Sequence, residues 1–246
     1  MLPLRYVRRD YQSSATVRVN AAFDEDACRG VVLVSPTGAG KTVMACDLIA
    51  GWVAQGERVA FVAHRGELLN QTARTLNEFG IPSGVVKAGP STLPQAPVQV
   101  CSIQSMANRE LEHPVRRLVF DEAHLSVADG YRAFRRRHPA AKLLGLTATP
   151  ERLDGQGLAC LYDEMVEACT ALELIEHPDG PYLVPPHVWE GRDIQAELAE
   201  VKTVGGDYAV GEIQRLMARD TLVKDIVERY RMHAWGRKGV VFAAGR

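Results

Sequence analysis

The sequence holds no apolar run long enough to span a bilayer and no leader-like opening of basic residues before an apolar stretch. A membrane-spanning helix is excluded by that pattern, and neither a signal peptide nor a membrane partner is expected. Its five cysteines, Cys28, Cys46, Cys101, Cys160 and Cys169, include no C-x-x-C pair and meet no paired-histidine spacing. A structural zinc or a disulfide framework is therefore not expected, and reduced thiols in the cytoplasm fit the pattern. Neither sign of charge dominates: 29 Lys and Arg against 30 Asp and Glu leave a formal net charge of −1. Any nucleic-acid surface must then be a local patch, because the chain as a whole is not basic. There is no internal repeat and no low-complexity tract. What is present is ordinary globular composition, 46% hydrophobic and 24% charged over 246 residues. That length suffices for one large core, or for a domain and part of another.

One stretch organises the rest: Ser35-Pro36-Thr37-Gly38-Ala39-Gly40-Lys41-Thr42. It follows the β-branched run Val31-Val32-Leu33-Val34 and precedes a helix-compatible segment from Val43 to Ala50. A glycine-rich turn between a strand and a helix N-terminus aims several backbone N–H groups at one spot, and the helix dipole adds positive potential there. Such a turn suits a polyphosphate. Lys41 would reach its β- and γ-phosphates and the Thr42 hydroxyl would ligate Mg²⁺. The generic P-loop pattern begins with glycine, and here Ser35 stands in that place.

From Arg58 onward strands alternate with helices. Val59–Ala63, Val98–Cys101, Leu118–Phe120 and Lys142–Leu146 read as strands, and Gly66–Phe79 as an amphipathic helix closed by Gly80. This predicts an α/β fold, a parallel sheet with helices on both faces. Ligands bind such sheets beyond the carboxyl ends of the strands, and the polar clusters of this sequence follow strands. Beyond Pro150 the texture changes. The residues from Leu158 to Ile175 read as partly helical, with short strands at Tyr182–Val184 and His187–Trp189. Asp207 is the expected N-cap of a helix through Met217, and another helix runs from about Thr221 to Trp235. Gly239–Ala244 reads as a buried strand with no helix after it.

Asp121-Glu122 ends an apolar strand, the position of a metal-binding aspartate and a water-orienting glutamate. His124 and Thr147-Ala148-Thr149 fall at adjacent strand ends, where an imidazole and hydroxyls can link the γ-phosphate state to a second lobe. Upstream, Arg9-x-Tyr11-Gln12 offers a glutamine amide that can donate to N7 and accept from the 6-amino group of adenine, with an aromatic or guanidinium plane to stack on the base.

Together, Thr37-Gly38-x-Gly40-Lys41-Thr42, Asp121-Glu122-Ala123-His124 and Thr147-Ala148-Thr149-Pro150 resemble motifs I, II and III of the superfamily 2 helicases. Arg9-x-Tyr11-Gln12 is similar to their Q-like motif, and a serine at position 35 is ordinary in that superfamily. Ala63-His64-Arg65-Gly66-Glu67-Leu68-Leu69-x-Gln71 and Ser102-Ile103-Gln104-Ser105 resemble their nucleic-acid motifs. The continuation Glu151-Arg152-Leu153-Asp154-Gly155-x-Gly157-Leu158, then Gly206-Asp207-Tyr208, resembles the DEAH-type, RadD-like and XPB-like DNA helicases more than the DEAD-box RNA helicases. The resemblance implies ATP and Mg²⁺ as ligands and a RecA-like first motor lobe over residues 1–176. It implies a helical connecting segment over 177–236 and the first strand of an incomplete second RecA-like lobe over 237–246. It also implies that His64, Arg65, Ser102 and Gln104 touch the backbone of a nucleic acid, DNA rather than RNA, in a salt-dependent and sequence-tolerant way.

The run Arg132, Arg135, Arg136, Arg137, His138 is a candidate for the same surface, but its helical spacing suits a solvated face. The superfamily draws an arginine finger from the second lobe, typically 10³–10⁵ in turnover. A chain ending shortly after Val240 is then expected to bind ATP weakly, hydrolyse it poorly and not unwind. The competing reading is a nucleotide- or DNA-binding module with no catalysis of its own.

Overall fold

The computed structural model describes residues 7–63, 66–87, 91–150, 157–189, 194–204 and 207–240. The chain divides into two compact units, residues 1–184 and 185–246.

In the first unit the order is α1 (Asp10–Asp24), β1 (Gly30–Val34), α2 (Lys41–Ala54), β2 (Val59–Ala63), α3 (Gly66–Glu78), β3 (Ser83–Val86) and β4 (Val98–Ser102). It continues with α4 (Ile103–Met106), β5 (Arg117–Asp121), α5 (Asp129–Arg137), β6 (Lys142–Thr147), β7 (Glu164–Glu167) and α6 (Ala171–Ile175). The seven strands form one sheet in the order β3-β4-β2-β5-β6-β1-β7, and every pairing is parallel. The expected sheet with helices on both faces is therefore present.

Burial on both faces explains the near-continuous apolar strands. Val31, Leu33, Phe61, Val100 and Leu144 point to the face covered by α1, α2 and α3. Their neighbours Val32, Val34, Val62, Phe120 and Leu143 point to the other, packed with Tyr131 and Phe134 of α5 and with Tyr162. The register sets the strand ends side by side: Val34 pairs with Thr147, Leu146 with Asp121, and Ala63 with Ser102. All the polar clusters of interest on described residues leave the sheet at that one edge.

Two expectations fail, each for a local reason, and one strand goes unforeseen. The segment 158–175 is helical in part, as expected, with a 3₁₀ turn, Leu158–Cys160, and the short α6, but a strand, β7, lies between them. As an edge strand β7 buries only Val166 of its four residues, so no alternating apolar pattern announces it; pairing with β1 specifies it. Tyr182–Val184 and His187–Trp189 are not strands. The N–H groups of Tyr182 and Leu183 both donate to Leu174 O, at 2.7 and 3.2 Å, and Pro185-Pro186 offers no ladder donors. Asp207 is not an N-cap. It pairs with Val204, joining β8 (Thr203–Val204) to β9 (Asp207–Tyr208), and the following helix is capped by Ala209.

The second unit contains α7 (Gln195–Ala199), that small ladder, α8 (Val210–Met217) and α9 (Asp220–His233). The strand expected over Gly239–Ala244 lies mostly outside the described residues, since 241–246 are not described.

Candidate functional site

The turn after β1 is shaped by two glycines in the left-handed region, Gly38 at φ 87° and Gly40 at φ 85°. Gly40 is the N-cap of α2, so Lys41 and Thr42 open the helix. The space around both is tight: a Cβ on Gly40 would lie 2.5 Å from Gln12 Nε2, and one on Gly38 would lie 2.9 Å from Leu183 Cδ2. Ser35 is fully buried, and its N–H donates to Thr147 O at 3.1 Å, tying motif I to motif III through the backbone.

Thr37, Gly38, Gly40, Lys41 and Thr42 line a cleft of about 550 Å³ whose other wall carries Asp121 and Glu122. The two motifs, far apart in sequence, therefore share one cleft. Lys41 Nζ donates to Ser35 O at 3.1 Å. Burial pushes the Lys41 ammonium below its usual value, while the charges of Glu122 and Asp121 pull it back up. Asp121 sits above the usual carboxylate range, first because it is buried and second because Glu122 is beside it; the Glu122 N–H, Lys41 and His124 act the other way. Lys41 and Asp121, both partly stripped of water, face one cleft beside the more exposed Glu122, an arrangement that marks a candidate functional site.

Glu122 is the only non-glycine residue at positive φ among those described, at φ 53°. Its carboxylate lies 3.5 Å from His124 Nδ1, and that nitrogen lies 3.3 Å from Thr147 Oγ1. Thr147 Oγ1 in turn accepts from Thr149 N at 3.1 Å. His124, Thr147 and Thr149 are thus linked, with Ala148 between them in the chain. Asp121 Oδ1 accepts from Glu122 N at 3.1 Å.

The start of α1 clamps the P-loop from the other side. Tyr11 Oη and Gln12 Nε2 both donate to Ala39 O, at 2.8 and 3.0 Å. Gln12 Oε1 accepts from Arg9 N at 3.1 Å, and its Nε2 also donates to Tyr11 Oη at 3.4 Å, so both ends of the buried amide are engaged within the protein. Arg9 lies with its guanidinium 3.9 Å from the Tyr182 ring centroid. The residues expected to read adenine do gather at the P-loop, and Gln12 also holds it in shape.

On the nucleic-acid side, His64 and Arg65 lie outside the described residues. Ser102 is buried and its hydroxyl is engaged: it accepts from Ser105 N at 3.1 Å and donates to Ser105 Oγ at 2.8 Å, capping α4. Gln104 is exposed on that short helix. The arginine run is largely structural. Arg135 donates to His138 O, and Arg137 donates to Arg109 O at 2.7 Å and to Met106 O.

Two groups of site residues escaped the sequence reading. Thr72 and Thr75 of α3 line the cleft, as does Gln71, which the sequence pointed to nucleic acid instead; their i, i+1, i+4 spacing on the polar side of an amphipathic helix was the available signal. Tyr182 and Leu183 come from a segment with no periodicity at all, and only the fold brings them to Arg9 and Gly38.

The family described as type III restriction enzyme, res subunit, matches residues 5–152, and the chain belongs to it. Within that family it is a motor lobe of the superfamily 2 helicase type. It is 28% identical over 214 residues to a 51.5 kDa protein of Lactococcus phage (isolate 7-9), covering 86% of this chain and 43% of that one. It is 30% identical over 176 residues to the DNA 3'-5' translocase XPB2 of Sulfurisphaera tokodaii, covering 71% of this chain and 38% of that one. The chain thus spans less than half the length of either relative. Its fold is similar to that of the UvsW helicase of bacteriophage T4, with a TM-score of 0.55 at 18% identity, over 66% of this chain and 61% of the other.

Proposed function

We propose that this chain is the first motor lobe of an ATP-dependent DNA helicase or translocase of the DEAH type, related to the RadD-like and XPB-like enzymes. The observation that carries the reading is the shared cleft, with Lys41 and Thr42 on one wall and Asp121 and Glu122 on the other. Two left-handed glycines keep the backbone of that cleft free of side chains, which fits a phosphate chain; a hydroxyl and a carboxylate, both hard oxygen donors, fit Mg²⁺.

Thr42 and Asp121 would hold the metal, which when bound neutralises phosphate charge. Backbone N–H groups of residues 37–42 other than that of Ala39, which donates to Pro36 O at 3.1 Å, would hold the phosphates with Lys41. Glu122 would orient a water and take its proton, and the His124–Thr147 contact would report that state to a second lobe. Arg9, Tyr11 and Gln12 would face the base. DNA is favoured over RNA because the translocase relative is named for DNA. His64, Arg65 and Gln104 would contact the strand backbone, whereas Ser102 acts by capping the helix that carries Gln104.

Binding of a fluorescent ATP analogue, with and without Mg²⁺, tests the reading on wild type and Lys41→Ala. Affinity should fall roughly tenfold or more when the charge-assisted contact is removed. Equal binding by both chains would sink it. Hydrolysis by this chain alone should be slow, because the arginine finger of such motors comes from outside this lobe and is worth roughly 10³–10⁵. Robust DNA-stimulated turnover by these 246 residues would overturn that part.

A further inference from the structure

Glu122 stands in a backbone conformation that costs a non-glycine residue energy and persists only where its surroundings over-determine it. The surroundings are visible. Leu125 N donates to Glu122 O at 2.8 Å, and Ser126 N donates to Ala123 O at 2.9 Å, closing the turn after β5. Ser126, fully buried, adds a second bond to the same carbonyl: its Oγ donates to Ala123 O at 2.6 Å. That hydroxyl is itself held, since Tyr162 Oη donates to Ser126 Oγ at 3.2 Å.

Tyr162 is 4% exposed and belongs to none of the helicase-like motifs. Two features fix its ring. Below it lies Gly145 of β6, where a Cβ would sit 2.6 Å from Tyr162 Cε1, Cζ and Oη, so the phenol lies flat on the strand only because that residue is glycine. Beside it, Asp163 Oδ2 accepts from Arg29 N at 2.7 Å and from Gly30 N at 2.8 Å, riveting the segment to the start of β1. Burial also pushes the phenol well above its usual range, so the group stays a donor.

We propose that Tyr162 is a positioning residue for Glu122. Its hydroxyl, acting through Ser126, fixes the turn that holds Glu122 in the left-handed conformation. The consequence for hydrolysis rests on the function proposed above; the consequence for the turn does not.

Hydrogen exchange of the segment 120–127 tests the link in wild type, Tyr162→Phe, Ser126→Ala and the double variant. In Tyr162→Phe the amides of Leu125 and Ser126 should exchange roughly fivefold faster, the weight of one net hydrogen bond, while β1 and α2 stay unchanged. The double variant should exchange no faster than Ser126→Ala alone, because both hydroxyls act in one series. Unchanged exchange in Tyr162→Phe, an increase spread over the whole unit, or additive effects in the double variant would each overturn the proposal. Single-turnover hydrolysis on the same chains should show a roughly fivefold loss in rate at unchanged ATP affinity. A looser turn in a chain that binds no ATP would uphold the structural link and sink the motor reading. A chain that binds ATP and keeps its turn intact without the phenol hydroxyl would do the reverse.

Discussion

Asp121 and Glu122 are neighbours in sequence with different environments. Asp121 is partly buried at the end of β5, whereas Glu122 is turned into the cleft with about half its side chain exposed. Different tasks follow, and different substitutions separate them. Glu122→Gln should keep Mg-ATP binding and lose hydrolysis by roughly 10²–10⁴, the usual worth of a general base, measured by single-turnover assay beside equilibrium binding. Asp121→Asn should make the chain more stable. Because folding raises the Asp121 pKa, the folded state keeps its proton longer than the unfolded chain as pH rises. Stability is therefore lost between the ordinary carboxylate value and the raised one, and the penalty persists at neutral pH. Removing it should raise Tm at pH 7 without metal or nucleotide, while Mg²⁺-dependent binding disappears. The difference should shrink as pH falls below the ordinary carboxylate value. Residues at this scale were legible when they sat in a short contiguous pattern, as Lys41, Asp121 and His124 do. Tyr162 and Tyr182 were not, because each acts across a long sequence gap through a single hydroxyl or ring face.

At the scale of elements, the junction of α1 with the P-loop carries the most specific constraint. Gly40 is left-handed, and its missing Cβ makes room for the Gln12 amide. Gly40→Ala should cost roughly 1–2 kcal/mol from the backbone alone, and more from the contact, measured by denaturant unfolding. Gln12→Ala should cost a similar amount, roughly 1–3 kcal/mol, since the hydrogen bonds of its amide to Ala39 O and from Arg9 N are both lost. The central strands were legible because both of their faces are buried and their apolar runs are uninterrupted. β7 was not: one buried residue in four gives no periodicity, and its pairing with β1 crosses more than a hundred residues of chain. Short helices such as α6 are likewise set by local bonding. There Thr170 Oγ1 accepts from Glu173 N while the Glu173 carboxylate accepts from Thr170 N, a capping box the apolar pattern hides.

For the molecule as a whole, the distribution of thiols gives a direct check. Cys28, Cys46, Cys101 and Cys169 are buried and Cys160 is exposed. Burial drives Cys46 and Cys101 up to about 12, which leaves almost no thiolate at neutral pH. A thiol reagent at pH 7.5 should therefore label Cys160 rapidly, with the remaining cysteines labelled only on unfolding; a second fast-reacting cysteine would contradict the packing. Among the described residues no helix is long and apolar enough to cross a membrane.

The sheet order has a temporal meaning as well. β1, which carries the P-loop, is bonded on one side to β6 and on the other to β7, and both arrive late in the chain. During synthesis that strand has no neighbour until about residue 147 has left the ribosome and lacks its second until about residue 167, a wait on the order of ten seconds at ordinary translation rates. The phosphate turn is thus among the first parts of the lobe to be made and among the last to be shaped. A nascent chain stalled before β6 should be invisible to nucleotide.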